Sequence, residues 1–561
     1  EGSPHYPINP DTTSTVITAR LTPSRQRTHR RTKELGDFQT PIELAIECVK
    51  VISRFKFEYG RILEPTCGRG SFLLAATKVF EQPLDLLGVE IQPRHAEEAR
   101  RLISQSVRPD VTWRVHVGDI FDYDLKNLVW NSVGHLLVLG NPPWVTSSDL
   151  GAMDAVNVPE KSNFRSLRGI EALTGESNFD VAEYVWLRLL LELQSSNPTI
   201  VMLSKTSVAR RVLSAAAQLG LPVAESMMWR IDAKTAFDVA VNACLFAIRL
   251  EESEANYYCQ VFDSLSAREP ATTMGIVDRT LVVDVASHAV SRRFDGTSPV
   301  EWRQGIKHDL AAVMELRESV DHVLRNGLDE TVQIEPEWVY PLLKGSDVNA
   351  GRKPSRKVIV TQRSLSDSPQ SLQHTAPLLC RYLQSHSDRF RARRSSIYSN
   401  RSDFSMFGVG AYTFTSWKVA VSGLHKIPKF QLVSPMNGRP VLLDDTCYFT
   451  PCKTIDDAAV IFCTLNSGTV AQLLRSLMFV DTKRPVTKKL LQRIDLRQIL
   501  IDNRDDIAAR TLDVLSDYYE SPLLDHAHVA IANILAEWNN NEPLSLFSEV
   551  NNHMAMSHQI N

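Results

Sequence analysis

The chain has 561 residues, of which 43% are hydrophobic and 23% are charged, and its formal net charge is -3 at pH 7. This composition is typical of folded globular proteins, and the length exceeds what one hydrophobic core usually serves, so we expect at least two domains. The near-neutral balance excludes a uniformly basic protein, although it allows a basic face that is compensated by acidic surface elsewhere.

The apolar runs and the cysteines exclude two further classes. No apolar run approaches the roughly 20 residues that a bilayer-spanning helix requires, and the first residues are polar, unlike a secretory leader. We therefore expect a cytoplasmic protein that does not contact a membrane; the resemblance described below implies a bacterial or archaeal source. The eight cysteines form no C-x2-C pair, which predicts reduced core cysteines and neither a disulfide framework nor a metal site.

Four regions follow one another along the chain. Residues 1–35 contain turn-forming residues and six Lys or Arg, which predicts a flexible basic arm. Residues 36–255 alternate short β-type runs with helical runs, a pattern typical of a parallel sheet wrapped by helices. Residues 256–500 are of mixed character, which predicts a second, α+β domain, and residues 501–561 predict a helical C-terminal extension.

The first domain is predicted to be a doubly wound α/β domain. In such open sheets, ligands bind at the edge where the strands have their carboxyl ends. The predicted strands are 61–65, 84–91, 111–117, 135–139, 199–203, 226–231 and 242–250, and the predicted helices are 71–80, 93–105, 178–194 and 207–219.

A glycine-containing turn follows the first predicted strand. The sequence EPTCGRG, residues 64–70, stands immediately before a predicted helix. Gly68 and Gly70 allow a sharp bend and a close approach of a ligand to the backbone, and the helix N-terminus offers N–H groups. By itself, such a turn is equally typical of a tight strand-to-helix connection.

Carboxylates follow the next two predicted strands. Glu90 lies about 20 residues after the glycine turn, where an acid can accept hydrogen bonds from the two ribose hydroxyls of a nucleoside. Asp119 ends the third strand and is suited to the exocyclic amine of an adenine. Taken alone, Asp119 is explained equally well as a turn or capping residue.

The fourth predicted strand runs into Asn141-Pro142-Pro143-Trp144. Two prolines stiffen the backbone, so the side-chain oxygen of Asn141 and a neighbouring carbonyl can point at one spot while Trp144 offers a flat face. An aromatic amine has two hydrogens and a π-face, and this tetrapeptide can contact all three. Asn-Pro also begins ordinary turns, but a turn does not explain the position at the end of a central strand.

These motifs resemble the DNA adenine-N6 methyltransferases of the gamma arrangement, in which a target recognition domain follows the cofactor and catalytic motifs. The resemblance implies a Rossmann-like class I methyltransferase domain with a seven-stranded, mostly parallel sheet. It also implies S-adenosylmethionine as the cofactor and a flipped-out adenine in double-stranded DNA as the target. The implied cofactor-binding residues are Thr40, Glu64, Cys67, Gly68, Gly70, Glu90, Ile91, Asp119, Ile120 and Asn141.

The resemblance also implies the catalytic set Asn141, Pro142, Pro143, Trp144 and Phe237. Family tetrapeptides begin with Asn or Asp for adenine and with Ser for cytosine, so this chain is expected to act on adenine. Phe237 corresponds to the aromatic residue that forms a second wall around the flipped base. A core phenylalanine explains Phe237 equally well.

The second domain contains a basic and aromatic segment between Arg381 and Phe430. Nine Lys or Arg and two Asp give this segment a net charge of +7. Charge runs are usually solvated faces, but cations mixed with aromatic rings suit contacts with phosphates and base edges. The predicted DNA-binding residues, which include a second basic run, are Arg389, Arg391, Arg393, Arg394, Tyr412, Trp417, Lys418, Lys483, Arg484 and Lys488.

The function predicted from these features is site-specific methylation of adenine N6 in duplex DNA, within a restriction-modification or phage-defence system. The sequence shows no nuclease constellation, so a restriction endonuclease or other defence subunit would be a separate chain. Three alternatives remain at this stage: a methyltransferase acting on RNA adenine, one acting on a protein glutamine amide, and a catalytically silent DNA-binding subunit of a defence complex.

Overall fold

The computed structural model describes residues 39–55, 57–145, 180–232, 234, 242–367 and 369–540. The predicted basic arm and the predicted aromatic wall residue Phe237 lie outside the described residues. The chain divides into two compact units, Glu1–Thr272 and Thr273–Asn561.

The first unit contains eight strands and, among its described residues, five helices. The strands are β1 (Tyr59–Glu64), β2 (Leu84–Glu90), β3 (Val111–Val117), β4 (His135–Gly140), β5 (Thr199–Lys205), β6 (Val223–Asp232), β7 (Asn242–Leu250) and β8 (Tyr258–Phe262). The helices are α1 (Ile42–Ile52), α2 (Ser71–Val79), α3 (Pro93–Ser106), α4 (Val181–Leu193) and α5 (Thr206–Gln218).

These strands are part of one ten-stranded sheet, in which they follow one another in the order β8-β6-β7-β5-β4-β1-β2-β3. Strands β1 to β5 pair in parallel wherever they are neighbours, while β7 runs antiparallel to both β5 and β6. The chain adds β2 and β3 on one side of β1 and then β4 on the other side. The crevice outside the carboxyl ends of β1 and β4 is therefore the point at which open α/β sheets bind ligands.

Two elements of the first unit were not predicted. The short strand β8 pairs in parallel with β6, so the first unit extends to Thr272 and past the predicted boundary at residue 255. Helix α1 buries residues at positions 45, 48, 49 and 52. This i, i+3, i+4, i+7 spacing is the periodicity of an amphipathic helix and could have revealed α1 in the sequence.

The second unit contains two further sheets and many short helices. Its strands are β9 (Thr272–Val277), β10 (Thr280–Val282), β11 (Arg303–Gln304), β12 (Glu315–Glu318), β13 (Leu324–Arg325), β14 (Val339–Leu343), β15 (Arg356–Ile359), β16 (Trp417–Ser422), β17 (Phe430–Val433), β18 (Leu442–Leu443) and β19 (Cys447–Cys452). Its helices are α6 (Val285–Ser291), α7 (Ala311–Met314), α8 (Gly345–Asn349), α9 (Leu372–Thr375), α10 (Pro377–Ser385), α11 (Ser387–Arg391), α12 (Ile455–Leu465), α13 (Gly468–Leu477), α14 (Lys488–Leu491), α15 (Leu496–Asp502), α16 (Arg504–Leu515) and α17 (Leu524–Asn539).

One sheet has the order β11-β19-β16-β17 and the other the order β13-β12-β15-β14-β18. Helices α16 and α17 contribute Ile507, Ile531 and Trp538 to the same hydrophobic core as β16 and α12. The described part of the predicted helical extension from residue 501 thus consists of helices that bury their apolar faces inside the second unit.

Within the described ranges, no single helix is long and apolar enough to cross a membrane. The pair α12 and α13 reaches that length only with a bend of 58° between them. Both helices contribute to the hydrophobic core of the second unit.

Candidate active site

The turn between β1 and α2 adopts a conformation that favours glycine at two positions. Gly68 has φ +52° and Gly70 has φ +82°, in the left-handed region where a side chain is strained. A Cβ atom on Gly68 would also lie 2.6 Å from the side-chain oxygen of Gln39. That oxygen accepts a hydrogen bond from the backbone N–H of Arg69 at 3.1 Å. The turn therefore passes close to the segment that precedes α1.

Glu90, at the end of β2, is fixed by two main-chain donors. The N–H of Gly68 donates to Oε2 of Glu90 and the N–H of Gln92 donates to Oε1, each at 2.8 Å. Only 6% of Glu90 is exposed. A carboxylate offers about four lone-pair sites, so these two hydrogen bonds orient Glu90 and leave capacity for further donors.

Asp119 lies just beyond the end of β3. Its Oδ1 accepts a hydrogen bond from the N–H of Phe121 at 2.9 Å. Burial raises the pKa of Asp119 above its usual value, while the hydrogen bond from Phe121 and the charge of Arg188 oppose the shift. Asp119 therefore both caps its own turn and presents a half-buried carboxyl group at the sheet edge.

Glu64 ends β1 and is buried below the glycine turn. Its Oε2 accepts a hydrogen bond from the N–H of Leu73 in the first turn of α2, at 3.1 Å. Burial raises the pKa of Glu64 well above its usual value, and the charge of Glu90 raises it further. Burial therefore favours the protonated, uncharged form of Glu64 beside the turn.

Asn141, which follows β4, is held by one side-chain and one main-chain hydrogen bond. Its side-chain nitrogen donates to the hydroxyl of Thr40 at 3.3 Å, and its main-chain oxygen accepts from the hydroxyl of Thr66 at 3.4 Å. The amide has one nitrogen and one oxygen, so a contact between the nitrogen and Thr40 orients the oxygen away from Thr40.

One cleft collects most of the predicted first-unit residues, and we call it the sheet-edge cleft. It has about 1030 Å³ of empty space, counting its open mouth. Its lining includes Gln39, Thr40, Glu64, Cys67, Gly68, Glu90, Ile91, Asp119, Ile120, Phe121, Asn141, Pro143, Val145, Val181 and Val185. Gly70 shapes the turn without lining the cleft, and Pro142 and Trp144 lie outside the lining as well.

Trp144 is buried in this structure. Only 8% of its surface is exposed, and it belongs to the hydrophobic core of the first unit. Stacking of Trp144 on a base therefore requires its face to be uncovered. Among the described residues, no three His, Cys, Asp or Glu side chains converge as a metal site would require.

The chain is similar in sequence to known DNA methyltransferases. Residues 25–208 match the family model described as N-6 DNA Methylase. The chain is 36% identical over 466 residues to the type II methyltransferase M.NspV from Nostoc sp., an alignment that covers 82% of this chain and 96% of that protein. The chain belongs to the N-6 DNA methylase family.

Further similarities extend this methyltransferase assignment. The type II methyltransferase M.CvrRI of Paramecium bursaria Chlorella virus XZ-6E is 37% identical over 92 residues, or 16% of this chain and 20% of that protein. The solved structure of the type IIL restriction-modification enzyme MmeI in complex with DNA has a TM-score of 0.52 and 14% identity, and covers 93% of this chain and 76% of that chain. The predicted Rossmann-like class I methyltransferase fold is confirmed, although its sheet has ten strands and not the predicted seven. The resemblance to enzymes of the restriction-modification type is confirmed as well.

In the second unit of the methyltransferase, Lys418, a predicted DNA-binding residue, is buried and is not accessible to DNA in this structure. Lys418 is 0% exposed and its ammonium group donates to the main-chain oxygen of Thr415. Its neighbours Val419 and Ala420 belong to two different hydrophobic clusters, so both faces of β16 are covered. Burial lowers the pKa of Lys418 to about 7.

Arg393 is also occupied inside the second unit. Its guanidinium donates to the main-chain oxygens of His308 at 3.1 Å and Ser405 at 3.0 Å. It also lies 3.5 Å from the ring centroid of Tyr398. Most of the N–H donors of this guanidinium are therefore engaged within the second unit, although Arg393 is partly exposed and lines the same open surface cavity as Arg389 and Arg394.

Other predicted DNA-binding residues are partly engaged. Arg391 pairs with Asp403 at 2.9 Å, and Arg484 pairs with Asp445 at 3.3 Å. Tyr412 has the guanidinium of Arg303 at 4.5 Å from its ring centroid. Trp417 packs edge-on against Tyr518, with 5.2 Å between ring centroids. The aromatic rings of this segment thus pack largely within the protein.

A smaller set of cations remains exposed. Arg389, Arg394 and Lys483 are exposed and Lys488 is partly exposed. Arg389 and Arg394 line an open surface cavity together with Arg393 and Asp309. No ion pair within 4 Å involves Arg389 or Arg394 among the residues that the structure describes, so both cations are available to a polyanion.

Proposed function

We propose that this methyltransferase transfers a methyl group from S-adenosylmethionine to N6 of a flipped-out adenine in a specific duplex DNA sequence. We further propose that it is the modification enzyme of a restriction-modification or phage-defence system. One observation carries the proposal: Asn141 lies at the switch point between β1 and β4, at the same cleft as Glu90 and Asp119.

The sheet-edge cleft fits the proposed cofactor in size and chemistry. Its volume is of the order that nucleotide-sized ligands occupy. Glu90 would accept hydrogen bonds from the ribose hydroxyls, in addition to its two main-chain donors. Asp119 would accept from the adenine amine, and the glycine turn lets the backbone approach closely.

When bound, the cofactor supplies a methyl group on a positively charged sulfur. Glu64 and Glu90 both line the cleft in which this group would lie. Cys67 also lines the cleft. Burial raises the pKa of its thiol well above the usual value, and the negative charge of Glu64 raises it further. This shift disfavours the thiolate, which is the reactive form of cysteine.

Asn141 would activate the target amine. The lone pair of an adenine amine is delocalised into the ring, so the amine is a weak nucleophile. Hydrogen bonds from its two protons to the side-chain oxygen of Asn141 and to the main-chain oxygen of Pro142 would localise the lone pair on nitrogen. Thr40, which accepts from the Asn141 nitrogen, presets the orientation of the amide.

The target base must leave the duplex to reach Asn141, at a cost of a few kcal/mol in lost stacking and pairing. Trp144 and Phe237 would recover part of that cost by stacking on the base. The exposed cations of the second unit, Arg389, Arg394, Lys483 and Lys488, would contact the DNA backbone. This division separates chemistry in the first unit from DNA reading in the second.

The substitution Asn141→Ala tests the proposed function. It should lower methyl transfer from tritiated S-adenosylmethionine to duplex DNA by roughly 10²-fold or more, because it removes an acceptor that acts on the reacting amine. Cofactor affinity, measured by calorimetry, should change little. Asn127→Ala is the control, since Asn127 is exposed, donates to Asp124 and does not line the cleft. Transfer by Asn141→Ala near the wild-type rate would refute the mechanism.

A further inference from the structure

Helix α4 borders the sheet-edge cleft and is buried on most sides. Eleven of its thirteen residues are buried, and Val181 and Val185 line the cleft. An α-helix brings residues at i, i+4 and i+7 onto one face, so Val181, Val185 and Arg188 point the same way. The face turned to the cleft therefore begins with apolar side chains and ends with a buried cation.

Arg188 holds the loop that follows β3. Its guanidinium donates to the main-chain oxygen of Ile120 and, at 2.6 Å, to that of Tyr123. Its Nε donates to Glu192 at 2.8 Å, and only 8% of Arg188 is exposed. Both carbonyls follow Asp119 closely in the chain, at positions 120 and 123, so Arg188 fixes the main chain that presents this carboxyl group.

The first turn of α4 holds the loop that follows β4. Asp180 caps the helix by accepting from the N–H of Ala182 at 3.2 Å, and the N–H of Val181 donates to the carbonyl of Val145 at 3.0 Å. Lys205, at the carboxyl end of β5, donates to Oδ2 of Asp180 at 2.6 Å. The residue directly after the NPPW tetrapeptide is thus tied to the helix cap, and the cap is tied to β5.

An apolar contact joins the two loops at the helix. Val145 and Val181 form a small buried cluster against which Phe121 packs. The ring of Phe121 also contacts the ring of Tyr184, with 5.0 Å between their centroids. Because Phe121 follows Asp119 and Val145 follows the tetrapeptide, displacement of α4 would move both loops.

We propose that α4 positions the loop after β3, which carries Asp119, relative to the loop after β4, which carries the NPPW tetrapeptide. Arg188 on α4 and Lys205 at the end of β5 are the two positioning residues. This inference rests on the proposed function. Arg188 acts on the main chain around Asp119, so its loss should weaken cofactor binding. Lys205 acts through Asp180 on the exit of the catalytic loop, so its loss should slow methyl transfer even when the cofactor is saturating.

The experiment compares Arg188→Met and Lys205→Met in the full chain. The dissociation constant of S-adenosylmethionine is measured by calorimetry, and the single-turnover rate is measured on duplex DNA at saturating tritiated cofactor. Arg188→Met should raise the dissociation constant roughly tenfold and leave the rate within about threefold, since a misplaced binding loop costs affinity first. Lys205→Met should lower the rate roughly tenfold and leave the dissociation constant within about twofold.

Three variants distinguish positioning from general stability. Arg211→Met is the matched control, because Arg211 pairs at 2.5 Å with Glu183, another buried carboxylate of α4, without bonding either loop. Its rate and affinity should both stay near wild type. Lys205→Arg should restore most of the rate, and Asp180→Asn should reproduce the effect of Lys205→Met without adding to it in the double variant.

Two results would overturn the inference. One is an equal loss of affinity and rate in Arg188→Met and Lys205→Met that Arg211→Met shares, because that pattern reports loss of folding. The other is a Lys205→Met effect far larger than that of Asp180→Asn and additive with it, because Lys205 would then act directly on substrate. Absence of labelled DNA with the wild-type chain would instead refute the proposed function, and with it this inference.

Discussion

The sheet edge of the first unit and the basic segment 381–430 of the second unit use their polar side chains differently. At the sheet edge, main-chain N–H groups orient Glu90 and Asp119 toward one cleft. In the basic segment, Arg393 donates hydrogen bonds to main-chain oxygens, and Lys418 is buried between two hydrophobic clusters. A side chain at the end of a parallel strand has its position set by the fold, whereas a high local charge does not say which cations reach solvent.

The largest effect expected in this comparison is that of Glu90→Ala on cofactor binding. Two ribose hydrogen bonds to a charged acceptor contribute about 1.5–3 kcal/mol each, so the dissociation constant of S-adenosylmethionine should rise by roughly 10²-fold or more. Calorimetry on the full chain measures the change. Glu90→Gln, which keeps one acceptor oxygen, should lose less. Equal affinity in Glu90→Ala and the wild type would remove Glu90 from the cofactor site.

Thr40→Val should have a smaller effect, on the rate. The variant removes the hydroxyl that accepts from the Asn141 nitrogen at 3.3 Å, and a neutral hydrogen bond is worth about 1 kcal/mol, or roughly fivefold in rate. Single-turnover methylation at saturating cofactor measures this loss. Thr40→Ser keeps the hydroxyl and should retain the wild-type rate, and a similar loss in both variants would argue against orientation of the amide by Thr40.

Substitution of the exposed and of the enclosed arginines of the second unit should affect the salt dependence of DNA binding differently. Arg389→Ala and Arg394→Ala should each flatten the slope of log K against log salt by about one unit, because each removes one phosphate contact. Duplex binding measured by fluorescence anisotropy at several salt concentrations gives the slope. Arg393→Ala should mainly lower the melting temperature. A slope change in Arg393→Ala alone would reverse the assignment of these cations.

Lys418→Met should leave DNA binding unchanged and alter only the pH dependence of stability. The pKa of Lys418 is about 7 in the folded chain against 10.5 for a free lysine, so the unfolded chain binds the proton more tightly between those values. The free energy of unfolding of the wild type should therefore rise relative to Lys418→Met as pH increases from 7 to 10.5. Calorimetric melting temperatures at several pH values test this, and a constant difference would contradict it.

Strand periodicity and the motifs at strand ends predicted much of the first unit. The bounds of β3 and β7 agree with the prediction, and the residues predicted for the cofactor gather at one cleft. The role of Arg188 in helix α4 could not be predicted in this way. Arg188 stands in a run of apolar residues, and nothing in its spacing indicates that it bridges two carbonyls of a loop 65 to 68 residues earlier.

The second unit was harder to predict because its charges do not follow strand alternation. Lys418 shares a strand face with Ala420 and Ser422, and both faces of β16 are buried. If buried and exposed side chains alternated along this strand, one of its faces would contact solvent. The fate of Lys418 depends on which helices and strands pack over β16, and this is a property of the whole unit.

The central claim is that the protein methylates adenine N6 in duplex DNA at the sheet-edge cleft. The identity of the product nucleoside tests this claim most directly. The full chain is incubated with labelled S-adenosylmethionine and separate samples of duplex DNA, folded RNA and protein, and the products are resolved by liquid chromatography and mass spectrometry. We predict label in N6-methyladenine from duplex DNA, at one sequence context, and its loss with Asn141→Ala. Label in methylated cytosine, RNA adenine or glutamine, with none in duplex adenine, would contradict the claim.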